Sequence, residues 1–347
     1  MIFLGAGASR ELGIKTMQGL TEDVVNKLRQ KGYSAETAEI LSSLKKFGIT
    51  PDFEAIYSVL EGLADIKQGI KEAGPFTAYV CKKLSKITGI HESKGILKEL
   101  KTLIFEECSK LNRSILDQVF NPLFQEDPEL QSPYWLNVAS RIVTTNYDMA
   151  VESYHWKKEL PLTDGFHETR NPNIRIYRPG SIPRVTDPDF GKNKGKLLIK
   201  LHGAIWCFRQ ASRIIKTTID PKSEDILKDS EIGEQIMIYP TKEKPILRNP
   251  YYDFFKSFKE QPWNVLVVIG YSFRDDPVNT ILLEQLQRAT KPHVFVVDPQ
   301  ADEIVRNFPG YKDYASCFHN IHIEFGKKGY EKEFFPAIKN RLTQNSL

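Results

Sequence analysis

Five short clusters in this chain carry groups suited to chemistry, and each stands directly after an apolar run. Gly5-Ala6-Gly7-Ala8-Ser9 follows Ile2-Phe3-Leu4. Two glycines one residue apart make a sharp turn. The backbone N–H groups of Gly5, Ala6, Gly7 and Ala8, with the Ser9 hydroxyl, suit an anion such as a phosphate, more so with a helix starting behind them. Thr145-Asn146-Tyr147-Asp148 follows Ile142-Val143-Thr144. The Asn146 amide is uncharged and can hold a water or a hydroxyl, and the Asp148 carboxylate can stabilise developing positive charge. His202 comes just before Gly203 and after Leu197–Leu201. With an ordinary pKa near 6.5, it can serve as a general base close to neutral pH. Gly270-Tyr271-Ser272 and Asp298 end two further apolar runs, and an acidic residue in such a place accepts hydrogen bonds from a sugar hydroxyl. Each cluster alone also has a bland reading. Asn146 and Asp148 are good helix caps, His202 and Asp298 are ordinary strand-end residues, and the glycine clusters are plain turns. Arg10 stands where a G-x-G-x-x-G fingerprint has its third glycine.

The flanking elements decide between these readings. Residues 15–27 carry Met17, Leu20, Val24 and Val25 on one helical face that Leu28 continues, and Gly32 ends the helix. From residue 34 to 130 long charged helical segments dominate, namely 34–46, 52–67, 76–88 and 93–119. Asp52, just after Pro51, reads as a helix cap; in the alternative, Asp52 or Glu54 faces a ligand. Strand character returns at 140–145, 197–201, 236–239, 264–269, 293–297 and 321–325. Helices are expected after Met149, over 251–259 and 277–289, and at the C-terminus. Residues 155–196 show no sustained period, and the lysine-rich 191–196 stretch reads as a solvated turn. Fully apolar strands that run into small or polar clusters and then into helices predict an α/β fold. It is a Rossmann-like, doubly wound parallel sheet with a helical insertion after the first βα unit. The expected domains are 1–33 with 131–347 for the Rossmann-like part and 34–130 for the insertion. All five clusters then share one rim, at the carboxyl ends of the strands, and the bland readings no longer hold jointly.

Composition narrows the class further. The 347 residues are 41% hydrophobic and 27% charged, as in an ordinary globular protein. A net charge of +4 allows nucleic-acid contact only weakly or indirectly. Cys81, Cys108, Cys207 and Cys317 are far apart, without a C-x-x-C pair, so no zinc ribbon and no disulfide framework is expected and a reducing cytoplasm fits. No run of about 18 apolar residues exists to span a membrane, and the N-terminus does not read as a signal peptide. Met1 leaves the first strand only about four residues, so a longer native N-terminus is expected.

In their order, GAGAS, TNYD, a strand ending in HG, GYS and VVD resemble the sirtuin family, and more closely the divergent sirtuin-like domains of prokaryotic antiphage defence. The resemblance covers about residues 1–30 and 135–325. Sirtuin deacetylases carry a zinc module on two C-x-x-C pairs, which is missing here, and the defence-type relatives that also lack it hydrolyse NAD outright. The resemblance therefore implies an NAD glycohydrolase, an antiphage effector that uses NAD as substrate and no metal. Asn146, His202 and Asp148 would be catalytic. Gly5, Ala6, Gly7, Ala8, Ser9, Thr145, Gly270, Tyr271, Ser272 and Asp298 would bind the dinucleotide, with Asp298 disfavouring a 2′-phosphate. It also implies control by homo-oligomerisation or by a separately encoded partner such as a HerA-type ATPase or an Argonaute. The alternatives are an NAD-dependent deacylase or ADP-ribosyltransferase, and a nucleotide-binding subunit of a nucleic-acid-processing complex.

Overall fold

The computed structural model describes residues 1–67, 90–124, 135, 138–182, 195–210, 212–218, 234–237 and 249–344. The chain separates into two compact units: Met1–Ile14 joins Leu111–Met237 and Pro245–Leu347, and Lys15–Lys110 makes up the described part of the second.

The first unit holds two sheets. In chain order the strands are β1 Ile2–Leu4, β2 Arg141–Thr144, β3 Leu162–Thr163, β4 Phe166–Glu168, β5 Ile174–Tyr177, β6 Lys196–Lys200, β7 Gly203–Gln210, β8 Arg213–Thr217, β9 Glu234–Met237, β10 Val265–Ile269, β11 His293–Val297 and β12 Phe318–Ile321. Seven of them form a parallel sheet in the order β12-β11-β10-β1-β2-β6-β3. β1 lies between β2 and β10, with Phe3 level with Val143 and Val268. After β1 the chain builds outward through β2 and β6, then crosses back to build β10, β11 and β12 on the other side. The topological switch point therefore lies between β1 and β10, where open α/β sheets bind ligands beyond the strand ends.

The second unit is helical: α1 Met17–Gln30, α2 Ser34–Lys46, α3 Phe53–Lys67 and α4 Ile90–Cys108. Thr16 caps α1, which buries Leu20, Val24, Val25 and Leu28 and packs on the other three helices. Asp52 accepts the Ala55 N–H at 2.8 Å, the cap role read for it. The helix expected over 76–88 and the turn at 191–194 lie outside the described residues, and the helix expected over 93–119 ends at Cys108.

Both faces of the parallel sheet are covered, which explains its continuous apolar strands. Ile2, Leu4, Val267, Ile269, Phe295 and Val297 share a core with α5 Leu116–Phe124, α6 Ala150–Lys157 and α9 Glu331–Gln344; α7 Tyr251–Lys259 and α8 Asp276–Arg288 precede and follow β10. On the opposite face Phe3 meets Phe258 of α7 at 5.9 Å between ring centroids. Each such buried side chain contributes about 1.5–3 kcal/mol.

Three expectations need correction. No long helix starts behind Gly7: a short 3-10 turn, Ala6–Ser9, follows Gly5, and α1 begins only at Met17 and packs with the helical unit. The last strand is Phe318–Ile321 rather than 321–325; Ile323 and Phe325 are buried outside it, which explains the apolar alternation there. An unexpected five-stranded antiparallel sheet, β4-β5-β8-β7-β9, accompanies the parallel one. Its first two strands are three and four residues long and punctuated by Gly165 and Gly180, too short to show a period. Gly203, with φ +76°, turns the chain from β6 directly into β7, so His202 sits where the two sheets join.

Candidate active site

The five clusters do end neighbouring strands. In sheet order they follow β11 (Asp298), β10 (Gly270–Ser272), β1 (Gly5–Ser9), β2 (Asn146 and Asp148) and β6 (His202). At about 4.8 Å between strands this rim is roughly 19 Å wide.

Its centre is a close backbone contact. A side chain on Gly5 would meet the Gly270 carbonyl at 2.5 Å, one on Gly7 would meet the Gly270 Cα at 2.8 Å, and Gly270 itself has φ +61°. The turn after β1 and the turn after β10 interlock, and this contact requires glycine on both sides. It also engages donors that were expected to face an anion. Gly5 N–H donates to Ile269 O, Gly7 N–H to Gly270 O and Ala8 N–H to Gly5 O, each at 2.9 Å. The anion-binding reading of the loop therefore rests on the Ala6 N–H, because Ser9 Oγ accepts from Asn146 and donates to Asp148.

Asn146 is locked onto this loop. Its amide nitrogen donates to Gly5 O at 2.9 Å and to Ser9 Oγ at 3.1 Å, and its N–H donates to Thr144 Oγ1 at 3.0 Å. The Thr144 hydroxyl in turn donates to Leu4 O, as does the Thr145 N–H. A carbonyl can only accept, so the contact with Gly5 fixes which amide atom is nitrogen. With both amide hydrogens engaged, Asn146 can act on a ligand only through its amide oxygen.

Asp148 is buried and braced. Ala150 N–H donates to its carboxylate at 2.9 Å, and the Ser9 hydroxyl bonds to it as well. Burial pushes its pKa up, against the pull of Lys200, the Ala150 N–H and Ser9. The geometry makes Asp148 a support for Ser9 and the α6 start, the cap-like alternative read for it. Tyr271 is also interior: its hydroxyl donates to Asn279 Oδ1 and its ring lies 4.7 Å from Phe3. Ser272 accepts from Asn307 through its carbonyl. Asp298 is half-buried; one oxygen accepts the Gln300 N–H at 2.8 Å, and burial raises its pKa.

His202 has a partner that sequence reasoning missed. Its Nε2 lies 2.8 Å from Asp275 Oδ2, and the two side chains are 3% and 6% exposed. The Tyr147 ring is next to it, 6.1 Å between centroids. In the sequence Asp275 stands just before the helix expected over 277–289, and nothing local links it to His202.

A second omission is a buried ion network beneath the rim. Lys216 Nζ lies 2.8 Å from Glu152 and 2.7 Å from Asp164, Lys200 Nζ lies 3.4 Å from Glu152 and also donates to the Asp148 carbonyl, and all four side chains are buried. Burial alone would raise the Glu152 carboxyl, but Lys200 and Lys216 override it and bring its pKa to about 2. The signal was legible: a lysine within an apolar strand, as in Leu197-Leu198-Ile199-Lys200 and Ile214-Ile215-Lys216, requires a buried counter-charge.

These groups set the acid stability. Burial lowers the pKa of His155, on α6, from 6.5 to about 4. Its neutral form is therefore favoured by folding, and that stability is complete above pH 6.5 and lost as pH falls toward 4. Glu152 contributes stability above pH 4.5 that is lost as pH falls toward 2. These two groups make the thermal midpoint fall between pH 6.5 and 4 and fall again below 4.5. The His155 share of the first step is about 3 kcal/mol, and calorimetry of His155→Leu should show that step reduced, with the share of His319 remaining, while the second stays.

Among the described residues no group of three or more His, Cys, Asp or Glu side chains gathers around a point, and no helix is long and apolar enough to cross a membrane. A family model described as a SIR2-like domain matches residues 140–325, more than half of the chain. No curated protein matches the sequence. Solved structures that resemble this chain include a Sir2 homologue in complex with NAD, 14% identical, covering 98% of this chain and 89% of the other with a TM-score of 0.46. Another is a variant Sir2 homologue in complex with ADP-ribose, also 14% identical, covering 99% and 92% with a TM-score of 0.43. Likeness at this level bears on neither substrate nor reaction.

Proposed function

The chain belongs to the SIR2-like domain family, and from that premise we propose that it is an NAD glycohydrolase, which cleaves the nicotinamide–ribose bond of NAD with water. The observation that carries the reading is the placement of Asn146 and His202 at the ends of two adjacent strands, β2 and β6. One offers an amide oxygen held in a fixed orientation, the other an imidazole held by a carboxylate. Breaking the bond builds oxocarbenium character on the ribose, while nicotinamide leaves as a neutral molecule. The reaction needs a grip on the dinucleotide, exclusion of bulk water and one positioned water.

In this reading Asn146 Oδ1 accepts a hydrogen bond from the attacking water or from a ribose hydroxyl, and His202 takes the water's proton. The Ala6 N–H meets the pyrophosphate, and Ser9, held by Asn146 and Asp148, fixes the turn that presents it. Thr145, Gly270, Tyr271 and Ser272 shape the dinucleotide crevice, with Gly5, Gly7 and Ala8 as its packed floor. Asp148 braces Ser9, and the second carboxylate oxygen of Asp298 accepts from a ribose hydroxyl, favouring NAD over NADP. No metal is needed for this chemistry. An enzyme that destroys NAD harms its own cell unless restrained, so we assign it the role of a cytoplasmic antiphage effector. Its activity is held in check by oligomerisation or by a separately encoded partner, such as a HerA-type ATPase or an Argonaute.

Comparing NAD turnover with and without an acylated lysine peptide separates hydrolysis from group transfer. A hydrolase releases nicotinamide at the same rate in both, with ADP-ribose as co-product. Nicotinamide release that requires the peptide would make the protein a deacylase or transferase instead.

A further inference from the structure

Asp275 and His202 come from distant parts of the rim. His202 follows β6, whereas Asp275 ends the loop after β10, and β1 and β2 lie between those strands. The loop that carries Asp275 back is held at several points. Gly270 and Phe273 both have positive φ, +61° and +53°, and for a residue as bulky as phenylalanine that conformation is strained. The surroundings hold it in place. Phe273 is buried between Tyr271 (5.2 Å) and Phe308 (5.5 Å), and its carbonyl accepts from Asn279 Nδ2 at 2.8 Å.

Asp275 also caps α8 by accepting the Val278 N–H at 3.4 Å. Capping alone does not account for a buried carboxylate. Asparagine or serine caps as well and brings no charge that must be desolvated. The oxygen that aspartate adds is the one 2.8 Å from the imidazole.

We propose that Asp275 is a positioning residue for His202 in the hydrolysis of NAD, an inference that rests on the glycohydrolase reading. An ionised carboxylate only accepts, so Nε2 carries the imidazole proton and the lone pair falls on Nδ1. Nδ1 takes a proton from the water while the water oxygen forms the new bond to the ribose anomeric carbon. The electron pair of the broken bond leaves on the nicotinamide nitrogen and cancels its positive charge. The resulting imidazolium is stabilised by Asp275 until His202 returns the proton to solvent. Asp275 itself never takes the proton, the arrangement by which a carboxylate orients a catalytic histidine elsewhere.

The test compares full-length wild type, Asp275→Asn and His202→Ala in nicotinamide release, thermal unfolding and side-chain nitrogen NMR. Asp275→Asn keeps a good cap, so its melting midpoint should stay within about 2 °C of wild type. Its kcat should fall roughly 10²-fold or more with KM changed less than about threefold, a split that loss of a cap does not produce. The ¹⁵N spectrum should show Nε2-protonated His202 in wild type and a shifted tautomer in Asp275→Asn. Unchanged kcat in Asp275→Asn while His202→Ala is inactive, or the same tautomer in both proteins, would reduce Asp275 to a helix cap. Silence of every protein in the release assay, both alone and with the product of the neighbouring gene, with the tautomer shift still present, would defeat the glycohydrolase reading and leave the positioning role standing.

Discussion

His202→Ala should lower kcat for nicotinamide release by roughly 10²–10⁴-fold, the range for removal of a positioned general base, while KM changes little. The substitution removes the imidazole at the end of β6 and nothing that grips the dinucleotide. The Ala6–Ser9 turn, the Gly270 turn and Asp298 are all on other strands. It also leaves the Asp275 carboxylate buried without its imidazole, at a cost of about 1–3 kcal/mol. The variant must therefore be assayed well below its own melting midpoint. Steady-state kinetics on the folded variant checks the outcome. Wild-type kcat would remove His202 from the mechanism whatever else the rim contains.

The largest effect on stability should come from Lys216→Met. Lys216 is the cation between Glu152 and Asp164, and all three are almost completely buried. Among the described residues, taking out the cation leaves two carboxylates with Lys200 as the closest compensating charge for Glu152 and Arg175, 3.9 Å away, for Asp164. Removing one partner from a buried ion pair costs about 3–5 kcal/mol, and urea unfolding should show a loss of that size. Combining Lys216→Met with Asp164→Leu should recover at least half of it, because the remaining Lys200–Glu152 pair is balanced and the two sites share partners. A double variant as unstable as the two losses summed would show that the network is not one unit. The same variants report on the rim, since Lys200 ties Glu152 to the Asp148 backbone.

How much of this was legible from residues alone follows from what each signal depends on. Val265–Ile269 and His293–Val297 read as parallel strands because helices on both faces make every position apolar, and the structure has them there. The shared rim was legible for the same reason, since each cluster sits just past such a run. The antiparallel sheet was not, because strands as short as Phe166–Glu168 carry too few residues to show alternation. The glycine loop was read as a phosphate cradle, yet its glycines also satisfy a contact with Gly270 more than 260 residues away, which no local pattern encodes. Asp275 precedes an expected helix and caps it; its second role depends on a histidine brought in by a different strand. Lys200 and Lys216 do carry a readable signal, a charge within an apolar strand that requires a buried counter-charge.

The central claim is the cleavage of NAD at a rim built from Asn146 and His202. Its most direct test is nicotinamide release from NAD by the purified full chain, alone and with the product of the neighbouring gene, beside Asn146→Ala under the same conditions. The wild type should release nicotinamide and ADP-ribose in equal amounts in at least one of the two settings, and Asn146→Ala at least 10²-fold less. Release that survives intact in Asn146→Ala, or its absence from the wild type in both settings, would contradict that claim.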